Sequence, residues 1–301
     1  MLAPIVLFVY NRPYHTQKTI EALKNNELAT QSQLFVFSDG PKNHKDIENV
    51  NLVRDYIKTI EGFKNIKLIK RDENWGLSNS IIHGVNEIVN RYGKIIVLED
   101  DIFTSKFFLK FMNEAIEFYK NEKKVWHISG WNYPIKSIGL GDVYLWQFMN
   151  CWGWATWSDR WCYFEKDIIK ISSEFSKTDI FRFNLYGVEN FWNQFLDNKK
   201  GRINTWAIFW YITIFKHNGL CLNPSKTFVQ NIGLDGSGIH SQKKSNFTSD
   251  LSLNNNVKFK IKLKKNLLAT IRIQFYYISQ KRFSLLRVIK KLLRINTKKL
   301  Q

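Results

Sequence analysis

Ile95-Ile96-Val97-Leu98-Glu99-Asp100-Asp101 joins a four-residue apolar run to three consecutive carboxylates. The run is short, rich in β-formers and without a polar face, which reads as a strand covered on both sides. Three adjacent carboxylates at a strand end repel one another and need a cation beside them. Oxygen ligands in an exposed crevice suit Mg²⁺ or Mn²⁺, with the remaining positions filled by water or substrate phosphates.

Working outward, similar runs precede it at Ile5–Tyr10, Leu34–Phe37 and Ile66–Ile69, and their starts are spaced by 29, 32 and 29 residues. Helical patterns lie between them, over 16–24, 46–60 and 77–91. A period of about 30 residues is that of a βαβ unit, because a parallel neighbour needs a crossover helix. The spacing therefore predicts an α/β fold with a doubly wound sheet, a further strand at Val125–Ser129, and ligands beyond the strands' carboxyl ends. Each strand is followed by polar residues: Asn11-Arg12-Pro13, Ser38-Asp39-Gly40, Arg71-Asp72-Glu73-Asn74-Trp75-Gly76, and Glu99-Asp100-Asp101.

The chain has 301 residues and a formal charge of +19, unevenly spread. From Ser241 to Gln301 there are 16 Lys or Arg and one acid, Asp250, while the preceding residues are nearly balanced. That asymmetry argues against a protein that coats nucleic acid along its whole surface and points to a C-terminal appendage with an anionic partner. Lys258, Lys260, Lys262 and Lys264 alternate with Phe259, Ile261 and Leu263, and a basic amphipathic helical pattern runs over 285–295. Such a tail suits an anionic leaflet. The same pattern also fits a helix packed on the body, or RNA stacking by Tyr276, Tyr277 and Phe283, although no nucleic-acid partner is expected. The odd cysteine count (Cys151, Cys162, Cys221) argues against a disulfide framework. Neither a signal peptide nor an apolar span of membrane length is evident, so a cytoplasmic protein, peripheral on the inner face of the membrane, is expected.

The stretch Pro4–Pro13, the Ser38-Asp39-Gly40 turn, Glu73-Asn74-Trp75-Gly76-Leu77 and Leu98-Glu99-Asp100-Asp101 together resemble a GT-A glycosyltransferase of the family 2 type. The nearest likeness is to bacterial sugar transferases similar to N-acetylglucosaminyltransferase I. The resemblance covers residues 3–241 and implies a mixed sheet with helices on both faces. It divides the chain into a glycosyltransferase domain over 1–241, with a nucleotide-sugar half to 130 and an acceptor half from 131, and a basic tail over 242–301. It also implies roles. Asn11, Arg12 and Asp39 would line the nucleotide pocket, with Asp39 on the uracil. Asn74 and Gly76 would shape the wall near the ribose and diphosphate. Glu99 would face the donor sugar, Asp100 the ribose, and Asp101 would ligate the metal. In the Gly-rich stretch Gln230–His240, Ser237 would meet the β-phosphate and His240 the metal or phosphate.

Ten of the 11 tryptophans lie between Trp126 and Trp210. Aromatic faces suit both sugar rings and cores. Trp152-Gly153-Trp154 is the favoured acceptor contact, because Gly153 permits close backbone approach. An inverting transfer needs a carboxylate base near the acceptor hydroxyl. In the resembled enzyme an acidic pair supplies it, and here Ile208 and Phe209 stand at that place. Asp235, Glu189 and Asp159 are substitutes by chemistry alone. The reading is thus a metal-dependent, inverting glycosyltransferase using UDP-N-acetylglucosamine or another UDP-hexose. Its acceptor would be a glycan or lipid-linked molecule of cell-surface polysaccharide or lipopolysaccharide synthesis. A donor-binding scaffold without activity and a sugar nucleotidyltransferase are the alternatives.

Overall fold

The computed structural model describes residues 1–234, 249–260 and 262–281. Its first half follows the expected rhythm: β1 (Ile5–Val9), α1 (Pro13–Lys24), β2 (Gln33–Ser38), α2 (Ile47–Thr59), β3 (Asn65–Lys70), α3 (Gly76–Tyr92) and β4 (Lys94–Glu99). Pro13 begins α1, where its missing N–H costs nothing. Gly93 ends α3 in a left-handed conformation, with its N–H on the Val89 carbonyl.

The second half is more irregular. It runs through β5 (Ile102–Thr104), α4 (Phe108–Tyr119), β6 (Val125–Ser129), β7 (Val143–Trp146), β8 (Trp154–Trp157) and α5 (Ser158–Trp161). Then come α6 (Ile168–Glu174), α7 (Lys177–Phe183), α8 (Trp192–Lys199), α9 (Ala207–Lys216), β9 (Leu220–Pro224) and β10 (Val229–Asn231).

Eight strands form one sheet in the order β3-β2-β1-β4-β8-β6-β9-β7, and β10 pairs with β5 apart from it. β1 lies parallel to both β2 and β4, and β2 parallel to β3. β8 enters antiparallel to β4, so the sheet is mixed. All five residues of β1 are buried, which requires cover on both faces. The architecture is thus the mixed, doubly wound α/β sheet expected for the GT-A class. β3 closes one end as an edge strand, and its half-exposed pattern with Lys67 and Lys70 keeps that edge from pairing further.

Most tryptophans of the second half are core. Trp154 is fully buried and stacks on His127 (5.5 Å) and Trp206 (5.1 Å). α9 is apolar almost all round and correspondingly buried. All three cysteines are free thiols.

The expected break at 241/242 is not where the fold ends. Val257, Ala269 and Ile273 are buried in the same core as the sheet. The Lys260 N–H donates to the Tyr119 hydroxyl (3.1 Å), which donates back to the Lys260 carbonyl (3.0 Å). The Asn266 N–H reaches the Leu145 carbonyl (2.8 Å), and residues 267–281 form a helix lying on the body. The alternation at 258–264 therefore marks a segment with one side on the protein: Phe259 packs beside Phe118 (5.3 Å) while Lys258, Lys262 and Lys264 face solvent. The helical pattern over 285–295 lies outside the described residues. Among the described residues no helix is long and apolar enough to cross a membrane.

Ile273→Ala tests this placement. Removing a buried isoleucine from the shared core is expected to cost about 2–5 kcal/mol of the whole chain's stability in urea, within a single transition. An unshifted midpoint would show that 267–281 is an appendage.

Candidate functional site

Because β1, β2, β3 and β4 run parallel in register, their carboxyl ends open at one edge of the sheet: Val9 stands beside Ser38, Ser38 beside Lys70, and Phe8 beside Glu99. The four polar loops meet there and are bonded to one another.

Asp39 is the joint. Its Oδ1 accepts from the backbone N–H of Trp75 (2.9 Å) and Gly40 (3.1 Å), and its Oδ2 from Gly76 (2.9 Å). A carboxylate on the first N–H groups of α3 is favoured by hydrogen bonding and by the helix dipole together. Asn74 donates to the Gly40 carbonyl (2.8 Å). A Cβ on Gly40 would lie 2.5 Å from the Glu73 backbone, so only glycine allows the loops after β2 and β3 to touch. Asp39 is buried and holds these loops together. Asn74 and Gly76 belong to the same joint. Asn11 is held by Asp46 (2.7 Å), which also accepts from the Tyr10 hydroxyl (2.9 Å). Burial first, then Asp46 and Asp39, push the Tyr10 phenol up to about 12.

The acidic triplet sits beside this frame. Burial raises Glu99 and Asp100, and the neighbouring carboxylates raise them further, against the pull of Arg12. Arg12 donates to Asp101 Oδ2 (2.9 Å) and lies 3.6 Å from Asp100. The loop after β10 stands over the pair: the Ile232 N–H donates to the Asp101 carbonyl (2.9 Å). A Cβ on Gly233 would lie 2.2 Å from Asp101 Oδ2. Among the described residues Asp101 Oδ1 keeps only a 3.5 Å contact from Asn231.

Among the described residues no group of three or more His, Cys, Asp or Glu side chains is placed to hold a metal ion. The donor set nevertheless fits a cation delivered with a diphosphate. Magnesium-type sites use one or two carboxylates plus substrate oxygens, and Asp101 offers a sparsely used oxygen at the mouth.

A cavity of about 300 Å³ has Trp131, Tyr133, Phe148, Trp152, Ile208 and Tyr277 among its walls. Cys151 also lines it, and burial first, then the charges of Glu99 and Asp101, push its thiol up. Of the expected acceptor contacts Trp152 lines this cavity. Trp154 does not, being enclosed in the core. Gly153 serves packing, since a Cβ there would lie 3.0 Å from Val229 and 3.2 Å from Phe108.

The three substitute bases part company. Asp159 follows β8, whose last residue pairs with Lys94 at the start of β4, so it lies at the opposite edge of the sheet from the triplet. There it binds Arg160 (2.5 Å) and Lys123. Glu189 lies near Tyr277 of the cavity wall and pairs with Lys281 (3.2 Å). Asp235, Ser237 and His240 lie outside the described residues.

Several contributors carry no local signal in sequence. Tyr133 and Tyr277, 144 positions apart, bond through their hydroxyls (3.0 Å) to close the cavity. His127 braces another wall. Trp210 Nε1 donates to its Nδ1 (3.2 Å), so the ring proton is on Nε2, facing the Asn150 carbonyl (2.9 Å). Asn150 Nδ2, buried at that wall, has no hydrogen-bond partner among the described residues.

No protein-family model matches the chain, and no curated protein does. It is similar to solved glycosyltransferase structures at low identity. S. aureus TarS is 14% identical over 46% of this chain and 22% of that one, with a TM-score of 0.31. A shorter TarS structure gives 11%, 76%, 60% and 0.43 for the same quantities. The mannosyltransferase PcManGT from Pyrobaculum calidifontis, in complex with GDP-Man and Mn²⁺, is 10% identical over 72% of this chain and 70% of that one, with a TM-score of 0.40. The chain thus spans 22% and 60% of the two TarS structures, less than two thirds of each. Likeness of this degree carries no conclusion about donor, acceptor or metal.

Two outcomes are expected. Asp39→Asn places an amide against backbone N–H groups and should cost about 1.5–3 kcal/mol in urea unfolding, a change that surface aspartates such as Asp55 would not show. Burial holds the His127 imidazole down at about 3, below its ordinary 6.5. The unfolded chain therefore takes up that proton first as pH falls. Stability present above pH 6.5 is lost between 6.5 and about 3, by up to about 1.4 kcal/mol per pH unit. His127→Gln should flatten that part of the acid limb in urea titrations against pH.

Proposed function

We infer that the chain is a metal-dependent, inverting glycosyltransferase that takes a nucleotide-sugar donor, UDP-N-acetylglucosamine or another UDP-hexose. Its acceptor is a glycan or lipid-linked molecule of cell-surface polysaccharide or lipopolysaccharide synthesis, met at the inner face of the membrane by a peripheral protein. One observation carries this reading. Four parallel strands bring Arg12, the Asp39 joint and the acidic triplet to one edge, and the charges of Glu99 and Asp101 reach Cys151 in the wall of an aromatic cavity.

The donor's diphosphate would meet the Arg12 guanidinium in place of Asp101 Oδ2, which Arg12 holds at 2.9 Å. Mn²⁺ or Mg²⁺ held by Asp101 would supply charge neutralisation for the leaving diphosphate. Arg12 adds a fixed positive group on the same side, and its exchange from Asp101 to phosphate oxygens would leave Asp101 to the cation. The Asp39 joint fixes the two loops that the nucleotide would rest on, so its part is positioning. The cavity supplies aromatic faces for an acceptor sugar, with Asn150 Nδ2 available to a hydroxyl.

The acceptor hydroxyl needs a base. Ile208 and Phe209, buried at the start of α9, cannot supply it. Asp235 and Glu189 are the remaining carboxylates, and Glu189 would first have to release Lys281. The same buried pair favours a second reading, a donor-binding scaffold without transfer activity.

Thermal unfolding with UDP-N-acetylglucosamine, UDP-glucose and GDP-mannose, with and without Mn²⁺, tests the donor site. One nucleotide sugar at 100 times its Kd should stabilise the protein by about 2.7 kcal/mol. The shift should require Mn²⁺ and be lost in Asp101→Asn. A flat response across the panel would remove the donor reading. Transfer to any acceptor would remove the scaffold.

A further inference from the structure

The helix over 267–281 has two apolar faces. Ala269 and Ile273 are buried in the core, and Tyr277 lines the cavity on the same side. Leu267, Leu268, Ile271, Phe275 and Ile278 are all exposed, Leu267 at 72% and Phe275 at 67%. At 3.6 residues per turn these five fall within an arc of about 100°. Ile138, 78% exposed, extends the patch, because Arg272 donates to its carbonyl (2.6 Å) and Leu268 packs against neighbouring Gly139.

Basic groups border this stripe. Lys262 and Lys264 are exposed just before the helix begins, Arg272 lies beside the arc on the carbonyls of Lys136 and Ile138, and Lys281, paired with Glu189, closes the far end. From 251 to 281 the chain contains no acidic residue.

We propose that the outward face of the helix over 267–281 is a docking surface for an anionic bilayer, lying in the plane of the interface. Apolar side chains on one arc with cations at its rim are what such a surface selects: the apolar groups enter the headgroup boundary and the cations meet lipid phosphates. A second copy of the chain is a poor occupant, because the rim would face its own positive charge. The helix lies on the bilayer and does not span it. A consequence rests on the glycosyltransferase reading. Since the inward face of this helix closes the cavity, a lipid-linked acceptor would present its head group about one helix diameter, roughly 10 Å, from the lipid surface.

The test is flotation of the full chain with phosphatidylcholine vesicles, with and without phosphatidylglycerol. Wild type is compared with a variant carrying Leu267→Ser, Ile271→Ser and Phe275→Ser. Wild type should float with the anionic vesicles and release at high salt. The variant should bind roughly tenfold more weakly or worse, with an unchanged Tm. Absence of wild-type binding, equal binding to the two vesicle types, or undiminished binding by the variant would each overturn the proposal. So would a wild-type dimer that the variant converts to monomer in sedimentation, which would make a second copy the occupant. The nucleotide-sugar thermal shift, measured on the same variant without lipid, separates failure of this surface from failure of the donor site.

Discussion

Everything at the candidate site depends on the parallel register of β1 between β2 and β4. Parallel pairing sends every crossover back across the sheet, so that four strand ends, and the four polar loops that follow them, open on the same side. β8 then enters antiparallel to β4, which ends the repeat and carries the chain into an aromatic second half. The same reversal sends Asp159 to the far edge. A side chain's place along the sequence near a motif is thus no guide to its place in the site once strand direction changes.

Loops that meet must also be held. The Asp39 carboxylate does this with three backbone N–H groups drawn from both its own turn and the start of α3. Its charge is met by the peptide dipoles it caps and by the nearby Arg71 guanidinium, which together allow an acid to be buried there. The acidic triplet is the contrasting case. Glu99 and Asp100 are raised by burial and by each other's neighbours, and Arg12 offsets only part of this. One edge of one sheet therefore holds a satisfied carboxylate that builds structure and a set of under-compensated ones that favour a cation.

The C-terminal segment changes the meaning of the charge asymmetry. In its lysine-rich strip Phe259 lies against the body, Lys260 reaches the Leu140 carbonyl, and Lys258, Lys262 and Lys264 face water. The helix that follows contributes Tyr277 to the cavity and leaves a second apolar face outward. Body and tail are joined by a common core, so the basic part of the chain is also part of the site's wall.

Strand and helix positions in the first half were legible in sequence because each element is decided locally. A six-residue apolar run and a 3.6-residue period need no distant partner to be recognised, and β6 falls on the expected Val125–Ser129. The triplet at a strand end was legible for the same reason. What only the tertiary structure decided are the pairings between distant residues: Arg12 with Asp101, Tyr133 with Tyr277, His127 with Trp210 and Asn150. Composition marked a tryptophan-rich region, but Trp152 lines the cavity and Trp154, two residues on, is core. Spacing cannot separate such neighbours, since a residue's exposure depends on which distant elements pack over it. Adjacent chemistry can be read from one segment, whereas a wall or a brace exists only after the chain has closed.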